Sequence, residues 1–155
     1  RASMRWCDDG VSCAAAGTER FGRDEQVAAD LPRKTLGPPA GEGVLAVEQR
    51  NGDTEISDIL SRINEPLVSA ATIAERLFLE LLGGGCQLPV GAYAESSGDN
   101  LDLDVFLATA EGDAIFRGTE SGPKTKPEDL AHSAYLQLVD QADAKLINAL
   151  AIPDV

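Results

Sequence analysis

The run Asn100–Thr109, NLDLDVFLAT, decides how the rest of the chain is read. Leu101 and Leu103 alternate with Asp102 and Asp104 before the run turns apolar, the pattern of a strand with one wet face. Turn signals bound it on both sides, SGDN at 97–100 and AEGD at 110–113, so its partners should lie immediately before and after it. Those neighbours are CQLPVGAYAES (86–96) and AIFRGTES (114–121), both strand-like. Three short runs joined by tight turns predict an antiparallel meander.

Working outward, the stretch PLVSAATIAERLFLELLGGG (66–85) carries Ile73, Leu77 and Leu81 at four-residue spacing beside Ala70, Ala74 and Phe78. Glu75, Arg76 and Glu80 sit elsewhere on the wheel, and three glycines end the pattern, which predicts a helix whose C-terminus points at Cys86. On the other side, KPEDLAHSAYLQLVDQADAKLINAL (126–150) offers Pro127 as a first helical residue and acids in the first turn. Its Leu130, Ala134, Leu138, Ala142 and Leu146 recur at helical spacing. A shorter helix is expected in DTEISDILSRIN (53–64), capped by Asp53 or Thr54, with Ile56, Ile59, Leu60 and Ile63 on one face and a stop at Pro66. Residues 52–155 thus read as one α/β (α+β) domain, a three-stranded antiparallel sheet with helices on one face.

The first fifty residues read differently. VSCAAAGTERFG suggests a buried strand from Val11 to Ala15 ending at Gly17, DLPRKTLGPPAGEG (30–43) is a Pro/Gly-rich connector, and VLAVEQR suggests a short buried strand from Val44 to Gln49. Two short strands and a long connector cannot close a core. This part is expected to bury its apolar residues against chain that is not included.

Composition narrows the class. The 155 residues are 43% hydrophobic and 25% charged, as in ordinary globular chains, with no apolar run long enough for a membrane span and no secretory pattern at the N-terminus. A cytoplasmic location follows by default, and neither membrane nor nucleic acid is an expected partner at a net charge of −13. Residues 51–155 hold six Lys or Arg against eighteen Asp or Glu, so the acidity is concentrated there. Its simplest meaning is a solvated surface kept soluble by charge. The cysteines Cys7, Cys13 and Cys86 are odd in number and match no zinc spacing, so reduced thiols are expected and no metal.

Four readings of Cys86 compete. It can be a small core hydrophobe, although the flanking glycines mark a tight or closely approached loop. It can be a nucleophile with His132, the only histidine, as base. It can serve disulfide redox chemistry, for which no second cysteine lies near in sequence. It can be a covalent anchor for a prosthetic group.

The segment AERLFLELLGGGCQLPVGAYAE (74–95) resembles the cofactor loop of the porphobilinogen deaminase (hydroxymethylbilane synthase) family. PPAGEGVLAVEQR (38–50) is similar to that family's chain return from its second domain to its first, and DGVSCAAAGTERFG (9–22) to the end of its second domain. The resemblance runs in unbroken order from about residue 9 to the C-terminus. It implies that residues 1–37 end one periplasmic-binding-protein-like α/β domain, that 38–51 return through another, and that 52–155 form the cofactor-anchoring domain. By the same resemblance Cys86 carries dipyrromethane through a thioether, Gly84 and Gly85 leave it room, Arg20 binds carboxylates of substrate or cofactor, and the amides of Gly41 and Gly43 approach the cofactor. Each pyrrole bears an acetate and a propionate, which a guanidinium fork suits. Glu42 replaces the family's glutamine and is a departure, because a carboxylate beside an anionic cofactor is unfavourable unless it is paired or points away.

The activity implied is the head-to-tail joining of four porphobilinogen units, with loss of ammonia, on the anchored primer, in haem or chlorophyll biosynthesis. Anchoring keeps the growing chain at high local concentration. The family's catalytic aspartate and most of its carboxylate-binding arginines lie upstream, so no residue of this chain is assigned catalysis. The chain is then a fragment, a partner of a separate N-terminal chain, or an inactive remnant with a binding or structural role. The whole enzyme is expected to be monomeric, in the cytoplasm or in the plastid stroma of a photosynthetic eukaryote. Arg50, Arg76 and Gln87 match common family positions but are expected to be structural, the arginines pairing with acids such as Glu48 or Glu75. Cys7 and Cys13 are expected to be packing residues.

Overall fold

In the computed structural model, which describes residues 11–83, 89–109 and 112–141, the run NLDLDVFLA is the central strand of a sheet. Strand β1 spans Val90–Ser97, β2 Asn100–Ala108 and β3 Ile115–Pro123, in the order β1-β2-β3. Both pairings are antiparallel, with Ala94 opposite Leu103 and Leu103 opposite Glu120. The alternation persists from Leu101 to Leu107: Leu101, Leu103, Val105 and Leu107 are all buried. The expected meander is the one observed.

Two helices cover that apolar face. Helix α4, Pro66–Leu81, packs on β1, and α5, Pro127–Gln141, packs on β3 and on α4. Both begin at a proline, which has no amide hydrogen to leave unsatisfied in a first turn. Phe78 and Leu82 from the end of α4 meet Leu130, Ala134 and Leu138 from α5 over the β2 leucines. Glycine on β3 sets the distance of approach. A Cβ on Gly122 would stand 3.4 Å from Leu130, and one on Gly118 would run into the Gln137 side-chain oxygen.

The preceding chain is built of short pieces: α1 (Ala15–Arg20), a 3₁₀ turn (Asp24–Gln26), α2 (Arg33–Leu36) and α3 (Thr54–Ser61). The Asp53 carboxylate accepts the Ile56 amide at 3.3 Å and so caps α3, as expected. Other expectations need correction. Helix α3 ends at Ser61, and Pro66 opens the next helix instead of stopping this one. The strand expected at Val11–Ala15 is absent: Val11 is 84% exposed and Ala15 starts α1. Val44–Gln49 is chain without a ladder partner among the described residues, and Leu45 is 74% exposed. A strand needs a neighbour to take its amides and carbonyls, and none is offered here. Cys13 is exposed and is not a packing residue; Cys7 lies outside the described residues.

On α4 the buried stripe also differs from expectation. It runs through Ala74, Glu75, Phe78 and Leu82, whereas Ile73 is 43% exposed and Leu77 and Leu81 are half-buried. An acid thus occupies a core-facing position.

Candidate anchoring site between α4 and β1

The connection from α4 to β1 is short, and both of its ends are held. At the helix end, Leu82 is buried and its amide bonds to the Phe78 carbonyl, while Gly83 closes the helix with φ 88° and an amide bond to Glu80. At the strand end, the Pro89 carbonyl accepts the Ala108 amide at 2.9 Å, and Val90 begins the ladder opposite Leu107. The termini of this connection are therefore fixed by core packing and by the sheet. Gly84, Gly85, Cys86 and Gln87 lie between them, outside the described residues.

Beside the connection, β1 is an edge strand, and the segment from Arg33 to Gly41 wraps round it. On the face away from the helices, the Arg33 guanidinium lies 4.3 Å from the centre of the Tyr93 ring and 3.5 Å from Glu95. Burial and the Glu95 charge together raise the Tyr93 hydroxyl above its usual value, with Arg33 acting in the opposite direction. Gly37, at φ 63°, and Gly91 bring the segment against the strand: a Cβ on either would collide with the Phe106 ring, and one on Gly91 would also stand 2.6 Å from the Pro38 carbonyl oxygen. A groove of about 190 Å³ remains here, lined by Arg33, Gly37, Tyr93, Phe106 and Arg117 among others.

On the helical side, Glu75 completes the wrap. Its carboxylate accepts the Gly41 amide at 2.7 Å and the Ala94 amide at 2.8 Å, and the residue is only 6% exposed. Burial raises its carboxyl above the ordinary range, and the Ala94 and Gly41 amides pull it partly back. Sequence reasoning placed Glu75 elsewhere on the wheel than the apolar residues. The available signal was its position, four residues after Ala71, three before Phe78 and seven before Leu82, within the stripe that is buried.

The residues singled out from the sequence are distributed as follows. Gly41 and Gly43 lie in the turn after Pro39, both at positive φ, 74° and 83°, with open space where a Cβ would point. The Gly41 amide is directed at Glu75, and Glu42 between them is exposed. Arg20 stands in the last turn of α1, exposed, with no carboxylate partner among the described residues. No hydrogen bond among the described residues joins Arg20 to either glycine. His132 is exposed on α5. Arg50 pairs with Asp53 at 3.3 Å instead of Glu48, and Arg76 is exposed while Glu75 turns inward. Arg20 thus leaves its guanidinium open to an anion, whereas the Gly41 amide is already taken by Glu75.

The fold defines a class: a small α+β domain, a three-stranded antiparallel sheet covered on one face by two helices, whose sequence joins the first of these helices to the first strand through a glycine-rich stretch with a cysteine in it. Residues 69–140 match the family pattern described as porphobilinogen deaminase, C-terminal domain. The chain is 37% identical over 139 residues to a porphobilinogen deaminase of Roseiflexus castenholzii, covering 90% of this chain and 46% of that relative. It is 35% identical over 148 residues to that of Desulforudis audaxviator (93% and 48%) and 35% over 143 residues to that of Bacillus cereus (91% and 46%). The chain belongs to the porphobilinogen deaminase family as its C-terminal part, and spans about half the length of the curated relatives it matches.

Proposed function

We propose that this chain is the cofactor-bearing C-terminal part of a hydroxymethylbilane synthase, the transferase that joins porphobilinogen units head to tail with release of ammonia in tetrapyrrole biosynthesis. The observation that carries this reading is similarity to porphobilinogen deaminases over 90% of the chain. In it, Cys86 holds dipyrromethane through a thioether, flanked by Gly84 and Gly85. The bound group supplies a nucleophilic pyrrole carbon on which the chain grows. Cys86 sulfur suits that task because a thioether survives repeated addition and a final hydrolysis, which an ester or hemithioacetal would not.

The remaining residues position and neutralise. Arg20 takes a pyrrole carboxylate with its guanidinium fork, and the Gly43 turn lets the backbone come close. Proton transfer at the pyrrole nitrogens belongs to the upstream half of the enzyme, in the same chain or another, and no aspartate of this chain is given that role. The test uses the intact enzyme with its upstream half. Porphobilinogen should be consumed with release of ammonia, and Cys86→Ser should abolish both that release and the Ehrlich-positive pigment while the domain stays folded. A pigment on Cys86 without turnover would mark a non-catalytic member of the family. Undiminished pigment in Cys86→Ser would overturn the anchor.

A further inference from the structure

The open face of the sheet carries one region whose charge runs against that of its surroundings. Residues 51–155 hold six Lys or Arg against eighteen Asp or Glu, and Arg117 is the only basic side chain on the three strands. It stands on the face away from the helices, its guanidinium 5.5 Å from the centre of the ring of Phe106, the residue opposite it on β2. The segment that wraps round β1 brings Arg33 and Lys34 to the same groove. Of these three cations, Arg33 is engaged by Glu95 at 3.5 Å and by the Tyr93 ring. Lys34 and Arg117 have no carboxylate partner among the described residues. The one acid in the lining, Asp104, accepts the Thr119 hydroxyl at 2.6 Å.

The ring and the glycines shape what can enter. Phe106 is seated where Gly37 and Gly91 have no Cβ, since a Cβ on either would collide with the ring, so a flat apolar floor lies between the cations. At about 190 Å³ the groove is well below the ~300–1,000 Å³ of sites for drug-sized molecules, and it takes one ring rather than two. An aromatic floor flanked by two unpaired cations favours a flat, negatively charged guest: the ring stacks, and carboxylates answer Lys34 and Arg117. A neutral ring would leave the cations unanswered, and a compact inorganic anion would leave the floor wet. We propose that this groove is a binding site for a small planar carboxylate, a single aromatic or pyrrolic ring bearing one or two carboxylate groups. The class includes the substrate of the function proposed above, but the lining contains neither Arg20 nor Gly43, and the site stands on the groove alone.

The experiment titrates the intact enzyme with pyrrole-2-carboxylate, followed by saturation-transfer NMR, with the neutral pyrrole-2-carboxamide as control. A dissociation constant of about 0.1–1 mM is expected for a ligand of one ring, and the amide should bind about tenfold more weakly. Lys34→Gln and Arg117→Gln, both at exposed positions, should each weaken binding about three- to tenfold, and Arg117→Lys should recover part of the loss. Asp104→Asn removes the one opposing charge and keeps an acceptor for Thr119, so it should tighten binding about twofold. Arg20→Gln and Cys86→Ser should bind as wild type does. No saturation transfer at about ten times the expected constant, or an affinity indifferent to Lys34, Arg117 and Asp104, would overturn the proposal. Binding lost in Arg20→Gln and kept in Arg117→Gln would overturn it too, and would assign the ligand to the carboxylate site of the proposed function. Because the titration needs no pyrrole on Cys86, failure of the anchor and failure of the groove are read separately.

Discussion

Residues 66–141 and residues 11–50 carry similar apolar segments and meet opposite fates. In the first region, Leu101, Leu103 and Leu107 lie fully buried under α4 and α5. In the second, Val11, Leu45 and Val47 face outward, although VSCAA and VLAVE have as much strand character as VFLA. The difference is not propensity but company. A strand is stable when a neighbour takes its backbone groups and a layer takes its side chains, and β2 has both. The segment Val44–Gln49 has neither, and its exposed valines and leucine form a surface for which the described residues supply no cover.

Mutation should sharpen this contrast. Phe78→Ala, in the centre of the core, is expected to cost about 3–5 kcal/mol by denaturant unfolding. Val47→Ala in the same chain should change the midpoint by less than about 0.5 kcal/mol. Equal effects would break the comparison. Next in size, Glu75→Gln should cost about 1–3 kcal/mol, because it leaves a buried amide without an acceptor. Its effect should also depend on pH. Glu75 is raised by burial, so its contribution to stability is full below the ordinary carboxylate range and is lost as pH rises through the elevated value. Wild type should therefore lose stability relative to Glu75→Gln across that window, and parallel pH profiles would contradict the assignment. Smaller than that of Glu75→Gln is the effect of Asp53→Ala, which removes the cap of α3 and should cost about 0.5–2 kcal/mol of helix stability. Because α3 buries no residue, the loss is expected as faster exchange of the Ile56 amide and not as a shift of global unfolding.

These two regions also mark what was legible in the residues. The alternation in NLDLDVFL, the turn signals on both sides of it, Pro127 at the start of α5 and Asp53 before α3 are local patterns, and each became the element it announced. Val44–Gln49 takes no ladder partner among the described residues, because its apolar run describes a preference while the partner that would satisfy it is a matter of tertiary structure. Glu75 misled for a related reason. An acid on a helix reads as solvent-facing unless its acceptors are known to be needed, and Gly41 and Ala94 lie far from it in sequence. The family was legible from the block 74–95, and the match over residues 69–140 agrees, while Cys86 itself lies outside the described residues. The wrap of Arg33–Gly41 round β1 was not, since it depends on two missing side chains, at Gly37 and Gly91, whose meaning appears only when the chain is folded.

The central claim is that the connection between α4 and β1 presents a covalent anchor. It is tested most directly by the mass of the peptide containing Cys86, cut from the intact enzyme purified without added porphobilinogen. The account predicts that this peptide carries two linked pyrrole units on its sulfur and that no other cysteine peptide does. An unmodified Cys86 peptide from enzyme that nevertheless turns over porphobilinogen would contradict it.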